Sequence, residues 1–292
     1  MAELHFGPAG WHYEDWRGWV YPERRPRGFH PLPFLARYVN LVEVNATFYG
    51  AVKAATAEEW VRRLEAFPDF RFVIKVWERL THAGNGLPDR EAVAEWAQVL
   101  APLEASGRLL AVLVQFPFSF RAGRAARERL LRIRDLLGGR LMACEFRHAS
   151  FAEEETLEFL RGEGMAFVNI DQPLGRESLP PTAMRTAPLA YVRLHGRNRE
   201  AWFDRETGRD ERYDYHYGRA ELAEWAERLR ILSAGRGSLL VVGNNHYHGK
   251  GLAAVLSLAH LLTGEKFPVP ERLAARFPEL ERIRRPEAGE LF

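Results

Sequence analysis

The chain holds a single cysteine, Cys144, in 292 residues. That excludes an internal disulfide and a cysteine-based zinc site, and it suits a reducing compartment. Lysine is nearly as scarce, at positions 53, 75, 250 and 266 only, so the 41 basic residues are almost all arginine. Arginine favours bidentate contact with carboxylate and phosphate, although a compositional bias produces the same count without a functional reason. Neither sign of charge prevails, because 41 basic against 39 acidic residues leave a formal +2. So close a balance argues against wholesale polyanion binding and leaves nucleic acid an unfavoured partner. No apolar run approaches the length of a membrane span, and the first residues show no basic stretch leading into an apolar one. The expectation is a cytoplasmic protein without a membrane partner. Low-complexity tracts and short-period repeats are also missing.

What does recur is an alternation of strand and helix patterns. Short apolar runs at 4–7, 41–46, 70–76, 109–115, 141–146, 165–170, 189–194 and 238–242 read as eight strands. Between them apolar residues return at helical spacing, as in Trp60, Leu64 and Phe67, or Val93, Trp96 and Leu100. Leu130, Ile133 and Leu137 repeat the pattern, as do Leu222, Trp225 and Leu229. Only the connection 172–188 is proline-rich and weakly helical. Eight strands with crossovers predict an α/β fold, a TIM-type (β/α)₈ parallel barrel over residues 1–264, with an open doubly wound sheet as the alternative. Residues 265–292 carry Pro268, Pro270, Pro278 and Pro286, which suits a C-terminal extension packed on the barrel or at an interface more than a second domain. The oligomeric state stays open.

Side chains alternate sides along a strand, and the C-terminal strand ends form the working face of such barrels. Arg193 and His195 end the seventh run on one parity. Two basic side chains on a buried face are costly without anionic partners. The other strand ends are polar on alternate positions too: Glu43, Asn45 and Thr47, then Lys75, Gln115, Glu145 with Arg147, Asn169 with Asp171, and Asn244-Asn245-His246. Strands buried on both faces read as nearly continuous apolar runs, so this recurrence predicts a polar, mixed-charge cavity at the barrel mouth. One reading is structural, with Glu43, Glu145 and Asp171 pairing with Lys75, Arg147 and Arg193 in a self-neutralising network. The other is functional, since buried ion pairs seldom improve on apolar packing and ionisable groups gathered in a cleft mark functional sites.

For a metal, Glu43, Glu145, Asp171, His148, His195 and His246 are the available ligands. No histidine pair has a local ligand spacing such as HExxH, and nearby cations would repel a metal. No cofactor is required by the sequence, although a divalent metal is left open. General acid–base work by Glu43, Glu145 or Asp171 needs less, with Arg147, Arg193 and Arg197 holding an anion and His195 as a polar bridge. The stretch His246-Tyr247-His248-Gly249-Lys250-Gly251 precedes a helical pattern, so Gly249 could free backbone amides for a phosphate, or could simply allow a tight turn. Trp11, His12, Tyr13, Trp16, Trp19 and Tyr21 follow the first strand, and Phe48 and Tyr49 the second. They could stack on a sugar or base, or pack their loops as a satellite core.

Taken together, these motifs resemble the YecE-like family, domain-of-unknown-function family 72. The resemblance rests on Gly10-Trp11, Trp16-Arg17-Gly18, Tyr21-Pro22 and the run from Val42 to Tyr49. It continues in order through Lys75 with Thr81-His82, Gln115-Phe116-Pro117, Glu145-Phe146-Arg147-His148, Asp171, Arg193-Leu194-His195-Gly196-Arg197 and Asn244-Asn245. It spans roughly residues 4 to 262, leaves the tail outside, and implies a TIM-type barrel. Gly243 stands where the family usually has an aromatic, and His246 where an acidic residue is common. The resemblance implies no activity, so no catalytic residue carries over.

The resulting expectation is an enzyme, a hydrolase, lyase or isomerase, acting by acid–base chemistry on an anionic, phosphorylated sugar- or nucleoside-like small molecule. Glu43, Glu145, Asp171 and His195 are the catalytic candidates. Trp11, Asn45, Tyr49, Lys75, Gln115, Arg147, His148, Arg193, Arg197, Asn244, Asn245 and Gly249 are the binding candidates. The alternatives are a metal-dependent phosphodiesterase on nucleic acid and a non-catalytic ligand-binding barrel.

Overall fold

The computed structural model describes residues 2–82, 84, 86–204 and 208–285. Eight parallel strands form it: β1 (Glu3–Pro8), β2 (Leu41–Val44), β3 (Arg71–Lys75), β4 (Leu109–Gln115), β5 (Met142–Glu145), β6 (Ala166–Asp171), β7 (Leu189–Leu194) and β8 (Ser238–Gly243). Each of β2 to β7 pairs with the next strand and β8 pairs with β1, so the sheet curls round on itself. This is the expected TIM-type (β/α)₈ barrel.

The seam between β1 and β2 closes by a different device. The Asn40 side chain accepts from the Phe6 amide at 2.9 Å and donates to the Leu4 carbonyl at 2.9 Å. Gly7 permits this close approach, because a Cβ there would sit 1.8 Å from the Leu41 carbonyl oxygen. Higher up, Gly10 N–H donates to the Glu43 carbonyl at 2.8 Å.

The outward faces of the strands are apolar and meet the apolar stripes of the outer helices. Phe72, Ile74, Val112, Val114 and Cys144 are fully buried in this layer with Trp96, Ile133, Leu160 and Leu229 from the surrounding helices. Helices Ala54–Arg63, Arg90–Ala97, Arg124–Leu136, Glu154–Gly162, Arg219–Ser233 and Lys250–Thr263 supply the cover. Two crossovers depart from this pattern. Between β1 and β2 the only α-helix is the short Pro31–Leu35, and Trp16, Tyr21, Phe29, Phe34 and Tyr38 fill the layer instead. Residues 172–188 contain no helix, as their proline content implies.

That missing helix corrects one reading of strand parity. Asn169 and Asp171 point outward from β6, while Val168 and Ile170 stand in register with the inward Tyr191 and Arg193. Asn169 accepts from Thr182 at 2.8 Å and from the Met184 amide at 2.7 Å, and donates to the Met184 carbonyl at 2.9 Å. A loop laid over a strand brings backbone groups that no helix has satisfied, so the strand beneath must offer polar partners. Polarity on β6 therefore marks an irregular cover and not the cavity.

Part of the 265–292 extension runs along the barrel exterior. Phe267 meets Phe6 of β1 edge-on at 5.2 Å, and Val269, Leu273, Phe277, Leu280 and Ile283 are buried. Residues 286–292 lie outside the described residues.

Candidate functional site

The inner face of the barrel carries an ion network centred on Arg193, which is 1% exposed. Its Nε donates to Glu43 Oε2 at 2.7 Å and its Nη2 to Glu43 Oε1 at 2.6 Å, a bidentate pair. Nη1 donates to Glu145 Oε2, and Nη2 also reaches Asn244 Oδ1 at 3.0 Å. Tyr191, two residues back on the same face, donates its hydroxyl to Glu43 Oε2 at 2.5 Å. Arg147 Nη2 lies 2.7 Å from Glu145 Oε1, and its Nη1 donates to Gln172 at 3.1 Å.

His195 completes the network as a neutral ring. Asn244 spends its oxygen on Arg193, so its amide nitrogen faces His195 Nδ1 at 2.8 Å and donates to it. The ring proton then belongs on Nε2, 3.3 Å from Glu145 Oε1. Burial, with Arg147 close by, drives the imidazole down to about 3. For Glu145 burial works to raise the carboxyl, but Arg147 and Arg193 together outweigh it and hold the group well below the usual range. Two carboxylates and two guanidinium groups thus cancel, and these side chains are nearly closed to solvent.

Lys75 is the cation left over. It ends β3 on the inward parity and lines the cavity above the network. Among the described residues no carboxylate lies within ion-pair distance of its amine, which rests over the Phe48 ring, 4.1 Å from its centroid. Burial, with Arg193 nearby, lowers the ammonium to about 8. Its surroundings are set by a buttress. The Trp96 indole donates to the Thr47 carbonyl at 2.8 Å, and the Thr47 hydroxyl donates to the Lys75 carbonyl at 2.7 Å. This fixes the short helix Ala46–Tyr49 beside β3, holding Phe48 and Tyr49 at the mouth.

The cavity around Lys75 measures about 550 Å³. Aromatic walls come from Trp11, Tyr13, Phe48, Tyr49, Trp60 and Tyr213, and polar groups from His12, His30, Asn45, Gln115, Asn244 and His246. The Trp16 indole anchors the first loop by donating to the His246 carbonyl at 2.7 Å, and Tyr13 stacks on His246 at 4.4 Å. A second cavity of about 640 Å³ adjoins it, sharing Gln115 and Tyr213. Arg147, Gln172, Arg176 and Trp202 are among its lining, with Arg147 over the Trp202 ring at 5.6 Å. Tyr213 and Trp202 come from the segment after β7. That segment leaves the strand at Gly196, whose φ of +87° and whose contact with Tyr215 exclude a side chain.

The expected site residues thus fall into three groups. Trp11, Asn45, Tyr49, Lys75, Gln115, Arg147 and Asn244 line the two cavities, while Glu43, Glu145, Arg193 and His195 form the network beneath. The remainder lie elsewhere. Asp171 accepts from Arg197 at 2.9 Å, and Arg197 also pairs with Glu221 at 3.0 Å, outside the barrel wall. Burial raises the Asp171 carboxyl, with Arg197 opposing. His148 caps the turn Ala149–Ala152, accepting from the Ser150 amide at 3.2 Å, and sits beside Arg121 and Glu177. Asn245 donates to the Tyr215 carbonyl at 2.7 Å. Gly249 packs against Val20 and Leu273 at φ +77°. The amides around it are already engaged: Gly249 to His246, Gly251 to Asn245, and His248 to the Asp15 carboxylate at 2.6 Å. The turn reading of Gly249 therefore replaces the phosphate reading.

Sequence reasoning passed over Tyr191, Gln172, Trp202, Tyr213, His30 and Trp60 as site residues. Tyr191 carried a signal, since it shares strand parity with Arg193, whereas Gln172 follows the end of β6 on the parity opposite to the expected Asp171. Trp202 and Tyr213 carried none, because a loop folds over the mouth without periodicity. As to a metal, no group of three His, Cys, Asp or Glu side chains converges among the described residues. The carboxylates nearest the mouth are engaged by guanidinium groups, so the donor set does not fit a divalent ion.

Comparison with known proteins agrees with the architecture. The family model described as "Protein of unknown function DUF72" matches residues 5–278. The match takes in the extension helix Glu271–Arg276, correcting the expectation that the family resemblance leaves the tail outside. The UPF0759 protein YunF of Bacillus subtilis is 29% identical over 259 residues, 84% of this chain and 90% of its own. A DUF72 family protein of Thermotoga maritima superposes with a TM-score of 0.77 at 34% identity, over 89% of this chain and 99% of that one. Another, from Enterococcus faecalis, gives 0.78 at 25% identity, over 89% and 95%. No helix among the described residues is long and apolar enough to cross a membrane.

Proposed function

The chain belongs to the DUF72 family of proteins of unknown function, and we propose that this member is an enzyme acting by acid–base chemistry on an anionic, sugar- or nucleoside-like small molecule. The observation that carries the reading is Lys75: a cation without a carboxylate partner among the described residues, in an aromatic-walled cavity that adjoins a second cavity lined by Arg147. A group that titrates at about 8 exchanges protons efficiently near neutral pH. Aromatic faces with Asn45, Gln115 and Asn244 suit a ring bearing hydroxyls or amides. Arg147 and Arg176 suit its anionic substituent.

Acid–base work thereby moves from the carboxylates to Lys75. Both Glu43 oxygens are taken by Arg193, and Glu145, held in its charged form by Arg147 and Arg193, is a poor proton donor. Arg193 serves as the keystone of the floor, not as an anion ligand.

A thermal-shift screen of phosphorylated sugars and nucleotides tests the proposal, followed by proton NMR of each stabilising compound incubated with enzyme. The expected result is stabilisation by anionic ring compounds and conversion of at least one, with conversion abolished in Lys75→Met. Stabilisation without conversion by any hit favours a ligand-binding barrel. Conversion that survives Lys75→Met overturns the assignment of the proton-transfer group.

A further inference from the structure

We propose that the Lys75 amine is a nucleophile that condenses with the carbonyl group of its substrate, so that the ligand class is a hydroxy-aldehyde or hydroxy-ketone carrying an anionic group. The inference rests on the site reading above and deepens it.

Three features of the geometry converge on this. The amine projects into a cavity with room for a small carbonyl compound, at the C-terminal end of an inner strand where the rigid sheet fixes its base. It has no carboxylate partner among the described residues, so no ion pair holds the ammonium form, and its contact is the face of Phe48. The other charges facing it are Arg193 from β7, Arg147 beyond β5, Glu43 from β2, Glu145 from β5 and His82 after β3. The two acids are each engaged by guanidinium groups, so these charges largely offset one another and burial is what disfavours the ammonium. This is the environment in which a lysine amine becomes available as a nucleophile at neutral pH. A merely structural lysine would be expected to reach a carboxylate or solvent. This one lies on an aromatic face.

The chemistry balances without a further reactant. The amine lone pair forms a C–N bond to the carbonyl carbon, the carbonyl oxygen takes a proton, and the nitrogen loses one. The carbinolamine hydroxyl then leaves as water after protonation, giving an iminium ion. His12, His30 and His246 line the same cavity and offer imidazole groups for those proton transfers. The iminium draws electrons from the neighbouring carbon, easing proton loss or carbon–carbon cleavage there, which fits a lyase or isomerase better than a hydrolase.

The chain's lysine content makes the test direct, since only Lys53, Lys75, Lys250 and Lys266 can be labelled at a side chain. Native protein is incubated with glycolaldehyde or dihydroxyacetone phosphate and sodium borohydride across a pH series, and the reduced adducts are mapped by peptide mass spectrometry. At pH 7 the adduct should concentrate on Lys75 by at least about tenfold over each other lysine, because a far larger share of its amines is unprotonated. Its labelling should rise with a midpoint near 8, and urea-unfolded protein should lose the preference. Lys75→Arg, which keeps the charge, should lose the adduct and remain folded. Labelling of Lys75 no greater than that of the other lysines, or a midpoint at the ordinary lysine value, overturns the proposal. If Lys75 stays unlabelled while Lys75→Met still abolishes conversion of a screened compound, the covalent step fails and the acid–base reading survives. If neither chemistry depends on Lys75, both fail.

Discussion

Two cations on the inner wall of one barrel meet opposite fates. Arg193 on β7 is saturated: two amides and two carboxylates enclose it, and one of those carboxylates, Glu43, is also bound by Tyr191. Lys75 on β3 has an aromatic face and open volume. The guanidinium is planar and delocalised, and its five donors can satisfy partners on several strands at once. A compact ammonium on a flexible stem cannot bridge them in the same way. Burial works against both charges: at Arg193 the carboxylates of Glu145 and Glu43 outweigh it and hold the guanidinium charged, while at Lys75 it prevails and pushes the ammonium toward losing its proton. The floor of the mouth is sealed by reciprocal pairing, while the cavity above it, around Lys75, is left able to do chemistry.

The comparison can be broken by mutation, beginning with the largest effect. Arg193→Met leaves Glu43 and Glu145 buried without their common partner. It should cost about 3–5 kcal/mol in urea unfolding, whereas an unchanged midpoint would mean the network is not holding the floor. The buried His195 gives a pH signature. Its folded value of about 3 lies below the ordinary 6.5, so between those values the unfolded chain binds the extra proton. Its contribution is intact above 6.5 and lost as pH falls, at about 1.4 kcal/mol per pH unit. Glu145, also depressed, adds a loss of the same sign only below the ordinary carboxylate range. His195→Gln should flatten the stability profile between pH 6.5 and 4.5 by about one proton's slope.

Asp171→Asn loosens the outer pair with Arg197. Because Arg197 is 27% exposed and keeps Glu221, the expected loss is only about 1–2 kcal/mol, without effect on ligand binding in the thermal-shift screen. A loss of binding there would return Asp171 to the site. Lys75→Met should change unfolding free energy by less than about 1 kcal/mol, since the methionine fills the same space and no ion pair is broken. Tyr49→Ala, at a side chain 70% exposed, should alter stability by under about 0.5 kcal/mol yet weaken binding of ring compounds.

How much of this was legible beforehand follows from which interactions are local. The eight strands were readable because a strand covered on both faces must be apolar throughout. Glu43, Glu145, Arg193 and His195 were readable as interruptions of that rule. Asp171 read the same way and was misplaced, because parity assigns residues to two faces without saying which face lies inside. Only the cover of residue 172–188 decides that, through Asn169 and its loop partners. Arg197, His148, Asn245 and Gly249 lie just past strand ends, where the backbone turns and alternation ceases to carry information.

By itself the amino-acid sequence determined the barrel, its polar mouth and the near-cancellation of charge, since periodicity and composition act through short-range sterics and solvent exclusion. Tertiary structure alone decided which charges cancel. Ion pairing acts over a few ångströms across strands distant in sequence, and Glu43 finds Arg193 across 150 positions. That pairing is what leaves Lys75 over.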